Sequence, residues 1–149
     1  MITEEELFNR AFQEKVKKLI HEEKPLVMST YILNPNEESK LNFILDELLE
    51  KFRLLNCKEL FYTACRELIV NSAKAAVKRV FFEERNLDIH NEAIYQDVMP
   101  DFKKIINSNQ MGNYREKVFS KGLKIEIHFT YTNGTICLQV INNFPLIKE

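Results

Sequence analysis

The stretch "GLKIEIHFTYTNGTICLQVINN" limits the folds open to this chain more than any other. Leu123, Ile125, Ile127, Phe129 and Tyr131 alternate with polar residues, Asn133-Gly134 supplies a two-residue turn, and Ile136, Leu138 and Val140 continue on the return. A period of two around an Asn-Gly pair predicts a β-hairpin, because those two residues accept the positive φ of a tight hairpin turn. The alternation gives the hairpin one apolar face, and two strands by themselves cannot keep it from water. The remaining chain must provide a covering layer.

The earlier sequence reads mostly as helix. Thr3 followed by Glu6 resembles a capping box, and Leu7, Ala11, Phe12, Val16, Leu19 and Ile20 recur at helical spacing up to Glu23. Pro25 stops that helix, and "LVMSTYIL" (26–33) is a β-branched and aromatic run of strand length. Asn34 as N-cap and Pro35 at the first helical position open a second helix, with a stripe of Leu41, Ile44, Leu45, Leu48, Leu49 and Phe52 ending near Leu55. Asn56 with Glu59 then caps a third helix reaching about Glu84, whose core side is expected to hold Leu60, Phe61, Ala64, Leu68 and Ile69.

From Arg85 to Gly122 the pattern weakens. "NEAIYQDV" and "DFKKIINS" read as short helices divided by Pro100, "NSNQMGNYREK" reads as a polar loop, and the whole segment as a mobile connector. With no internal repeat, the expected architecture is one α+β domain over 1–149, a two-layer helix-on-sheet sandwich. An N-terminal helix over 1–23 precedes the core over 24–149.

Charge and composition exclude several function classes. Twenty-one basic residues against twenty-two acidic ones leave a net charge of -1, so no global field draws the chain to nucleic acid or to anionic lipid. Cys57, Cys65 and Cys137 are odd in number, lack CxxC spacing and fall in apolar segments, which points to buried, reduced thiols in the cytoplasm. The acidic, amphipathic start is unlike a signal peptide, and no window approaches the ~20 apolar residues of a membrane span.

Chemistry concentrates in "CRELIVNSAKAA" (65–76). Separations of four, three and four residues place Glu67, Asn71, Lys74 and Lys78 on one helical stripe. Such a stripe is commonly just a solvated helix face. Its alternative is a metal-phosphate site: a carboxylate and an amide carbonyl are hard oxygen donors suited to Mg²⁺, and a lysine one turn on can meet phosphate oxygens.

"ELIVNSAKA" resembles the N-box of the histidine-kinase-like ATPase superfamily, the Bergerat-fold group that includes sensor kinases and anti-sigma-factor kinases. The order of strand, helix, N-box helix and hairpin is similar to that family's over residues 24–149. The resemblance implies an ATP-binding domain of bacterial signalling, an ATPase or protein kinase. Asn71 is then the Mg²⁺ ligand, Glu67 the residue that polarises a water or substrate nucleophile, and Lys74 a phosphate contact. It implies no role for Lys78.

Where the family has an adenine-reading aspartate and glycines, this chain reads "VINNFPLI". Asn142 stands at the aspartate, able to accept from the adenine amino group through a neutral and therefore weaker acceptor. Phe144 and Leu146 stand at the glycines and remove backbone freedom. The family's glycine-rich lid and further strands have no counterpart before Glu149, so the sandwich is expected to be incomplete at its C-terminal side. A second expectation, from another functional class, is a degenerate, non-catalytic member of the fold that binds a protein partner or senses nucleotide, its N-terminal helix pairing with another subunit. His21, His90 and His128 are too scattered for a metal cluster or a triad, and Cys65 reads as core.

Overall fold

The computed structural model describes residues 1, 3–132 and 134–144. Among the described residues five α-helices and three strands follow in the order α1 (Glu4–His21), β1 (Leu26–Thr30), α2 (Pro35–Lys51), α3 (Lys58–Glu84), α4 (Glu92–Asn107), α5 (Arg115–Ser120), β2 (Ile125–Thr132) and β3 (Thr135–Asn142). Single 3-10 turns at Leu55–Cys57 and Gln110–Tyr114 precede α3 and α5. The class is α+β, helix-rich with one small antiparallel sheet in the order β1-β2-β3.

Local chemistry explains the helix starts. Thr3 and Asn34 both form capping boxes: the Glu37 amide donates to Asn34 Oδ1 at 2.8 Å while Asn34 N–H donates to Glu37 Oε2 at 3.1 Å. Of the helix ends, α3 stops at Glu84 as expected, and α2 stops earlier than expected. α1, α2 and α3 each stop at a left-handed residue that is not glycine: Glu23 (φ 54°), Arg53 (φ 57°) and Asn86 (φ 52°). Paired bonds close each end, as where Leu54 N–H donates to Leu49 C=O at 2.7 Å and Arg53 N–H to Glu50 C=O at 3.1 Å. α2 therefore ends at Lys51, short of Leu55, and β1 at Thr30, short of Leu33. Asn56 caps nothing; it lies inside the 3-10 turn ahead of α3.

The chain forms two compact units. The first comprises Met1–Met28, Asn34–Arg66 and Ile127–Gln139. In it α1 packs along α2, with Phe12 and Phe43 rings 6.3 Å apart, above buried Leu41, Ile44, Leu45, Leu48 and Leu49. The hairpin contributes Tyr131, whose hydroxyl donates to Leu19 C=O at 3.1 Å and to Lys24 C=O.

The second unit comprises Ser29–Leu33, Glu67–Glu126 and Val140–Glu149. Its core joins Ala73, Ala76, Val77, Val80, Phe81 and Phe82 of α3 to Phe102, Val118, Ile125 and Phe144. This unit overturns the expectation of a connector over 85–122. α4 runs unbroken through Pro100 because Phe102 packs its ring 5.5 Å from Phe81, and Ile94, Tyr95, Val98, Met99, Ile105 and Ile106 also lie against the core. That burial outweighs the ~3 kcal/mol that an interior proline costs a helix. The polar-looking "QMGNYREK" is likewise built in: Met111 and Tyr114 pack on the core, and Arg115 donates to Ile32 C=O.

Within the strands, Leu26, Met28 and Thr30 of β1 and Ile125, Ile127, Phe129 and Tyr131 of β2 are buried alternately, as the period of two requires. β3 is an edge strand that is nowhere fully buried, and its odd-numbered residues face solvent. Cys137 is one of these and is exposed, Cys57 is half-buried, and of the three thiols expected to be buried only Cys65 is so. Asn133 of the expected turn lies outside the described residues, and Gly134 has φ 80°.

Candidate functional site

α3 is 27 residues long and carries the motif across its middle. Its buried residues are Cys65, Ile69, Ala73, Ala76, Val77, Val80, Phe81 and Phe82. Leu60 and Leu68, expected in the core, are 71% and 46% exposed, and Ala64 is exposed as well.

Glu67, Asn71 and Lys74 lie across the helix from Cys65, Ile69 and Ala76, while Lys78 at the end of the stripe packs against Tyr95 and Phe102. Glu67 and Asn71 are exposed, and Lys74 and Lys78 are half-buried. No hydrogen bond or ion pair engages Glu67, Asn71 or Lys74 among the described residues. Three polar groups on one face, with every donor and acceptor unspent, are available to a ligand. The helix backbone alone brings them together.

Asn142 is the last residue of β3 and is half-buried. Its Oδ1 is a buried acceptor with no hydrogen-bond partner among the described residues. Such an atom ordinarily costs about 1–3 kcal/mol unless a donor, from water or a ligand, reaches it. No hydrogen bond or ion pair joins Asn142 to the stripe among the described residues. The end of β3 does reach α3, since the Arg79 guanidinium lies 5.3 Å from the centre of the Phe144 ring.

Asn143 holds this end of the hairpin in place, a role the sequence reading did not assign. Its Nδ2 donates to Gly122 C=O at 2.7 Å, its Oδ1 accepts from Lys124 N–H at 2.9 Å, and its own N–H donates to Lys124 C=O at 3.3 Å. The available signal was the Asn-Asn pair directly after a strand, where an asparagine side chain readily bonds to nearby backbone. Phe144, placed at a family glycine, is 8% exposed and belongs to the core of its unit.

Burial pushes the Cys65 thiol up to about 12, so at neutral pH it is an inert core group. No cluster of three His, Cys, Asp or Glu side chains suited to a metal occurs among the described residues. A magnesium ion on the stripe would therefore take Asn71 from the protein and its other oxygens from water and phosphate. That donor set fits the usual habit of the ion. No helix among the described residues is long and apolar enough to cross a membrane.

Comparison with known proteins leaves the class at helix-rich α+β. No family model matches the chain, and no solved structure matches it. An uncharacterized protein of Treponema pallidum (strain Nichols) is 26% identical over 130 residues, 87% of this chain and 25% of that protein. The chain spans about a quarter of the length of that relative.

Proposed function

We propose that this chain is the nucleotide-binding half of a histidine-kinase-like ATPase of bacterial signalling, a two-layer sandwich of that family's type holding Mg²⁺-ATP along the N-box stripe of α3. The observation that carries the reading is the buried, unpartnered Oδ1 of Asn142, at the position of the family's adenine-reading aspartate. A buried acceptor is suited to the amino group of adenine. The free polar face of Glu67, Asn71 and Lys74 supports the phosphate end. Asn71 would hold the ion with Glu67 beside it, and Lys74 would meet a phosphate oxygen. The ion supplies charge neutralisation at the phosphates; Glu67 orients the attacking water or hydroxyl.

One observation favours the non-catalytic alternative, a degenerate module that senses nucleotide or binds a protein partner. Phe144 is committed to the core where the family has a flexible glycine, which restricts how the turn can wrap a base.

Calorimetric titration with Mg²⁺-ATP tests the proposal. Weak binding is expected, abolished by Asn71→Ala and tightened up to roughly tenfold by Asn142→Asp, because a carboxylate bonds a donor about twice as strongly as a neutral carbonyl. Asn142→Asp should also select against GTP, whose carbonyl replaces the amino donor. Binding that neither substitution changes would refute the assignment, and binding of Mg²⁺-ATP without turnover would favour the non-catalytic alternative.

A further inference from the structure

Lys78 continues the α3 stripe but has an environment of its own. Its ammonium donates to the Tyr95 hydroxyl at 2.9 Å and lies 5.3 Å and 5.9 Å from the ring centres of Tyr95 and Phe102. Lys58, Lys117, Lys121 and Lys124 each meet a carboxylate, whereas Lys78 has none among the described residues. A half-buried ammonium held by a neutral hydroxyl and two ring faces is fixed in direction, keeps donors unspent, and lacks a counter-charge.

That ammonium lines a cleft of about 730 Å³ between α3 and α4, a volume suited to a small ligand. Lys103 and His90 line it too, and Ile89, Met99 and the Tyr95 ring give it apolar wall. Glu92 is the one carboxylate on its lining, so the two lysines leave the cleft with an excess of positive charge. Cationic groups beside an apolar wall recognise an anionic head on an apolar body.

We propose that the α3–α4 cleft is a binding site for a small organic anion, its phosphate or carboxylate head on Lys78 and Lys103 and its apolar body against Tyr95 and Met99. This goes beyond the nucleotide reading, because it uses none of Glu67, Asn71, Lys74 or Asn142.

The ¹⁵N-labelled chain, titrated separately with phenyl phosphate and with benzoate and followed by amide NMR shifts, provides the test. Saturable shifts are expected at Lys78 and over residues 89–103. Saturation by only one probe identifies the head group, and saturation by both supports the shared chemistry. Lys78→Met, which keeps the apolar stem, should weaken binding by roughly tenfold or more. Lys103→Glu alters an exposed position that the fold does not use, and should weaken it as well. Lys74→Met and Asn71→Ala should leave the affinity unchanged, which separates this site from the nucleotide site. No saturation with either probe, or equal affinity in wild type and both cleft variants, would overturn the proposal.

Discussion

Cys65 stands two residues before Glu67, and its chemistry follows from burial alone. The side chain is 1% exposed, and desolvation raises its thiol from 9.0 to about 12. At pH 9 an ordinary thiol is half ionised, whereas this one is ionised about once in a thousand molecules. Alkylation of the native protein by iodoacetamide should therefore modify the exposed Cys137 first and Cys65 only through unfolding. The same shift makes stability depend on pH. Above pH 9 the unfolded thiol loses its proton while the folded thiol keeps it, so the native state binds more protons and stability falls as pH rises. The stabilising contribution is complete below 9 and is lost as pH climbs toward about 12, with a limiting slope of about 1.4 kcal/mol per pH unit. Urea midpoints measured across this alkaline range should decline more steeply in wild type than in Cys65→Ala. Peptide mass spectrometry showing Cys65 alkylated as fast as Cys137, or identical pH slopes in the two proteins, would refute the reasoning.

Three further outcomes test the packing and the closures described above. Arg53→Gly relieves a left-handed non-glycine residue and should stabilise the chain by up to about 1 kcal/mol after the entropy cost of glycine, read as a higher urea midpoint. Tyr131→Phe removes the hydroxyl that bonds Leu19 and Lys24 carbonyls and should destabilise by about 1–3 kcal/mol, with the hairpin amides losing hydrogen-exchange protection. Asn143→Ala deletes two side-chain bonds at an exposed position and should cost about 1 kcal/mol. If Asn142 reads the base, that change should also weaken Mg²⁺-ATP binding without touching the acceptor itself.

What the amino-acid order determined by itself is local. The hairpin over Ile125–Asn142, the strand starting at Leu26, and the starts of α1 and α2 rest on period, turn residues and caps that act within a few positions. The same is true of the stripe of Glu67, Asn71 and Lys74, since a helix places residues four and three apart on one face. Tertiary structure decided the rest, because packing energy summed over many contacts exceeds single-residue preference. It carried α4 through Pro100 and built the expected connector into the core. It ended α2 at Lys51, with the left-handed Arg53 closing a helix that no turn signal stops there. It turned Leu60 and Leu68 outward, buried Phe144, and set Lys78 on Tyr95, a residue from a segment that read as a short helix in a mobile connector. The buried acceptor of Asn142 is also a tertiary property: the strand places the residue, but only the surrounding packing removes its oxygen from water without supplying a donor.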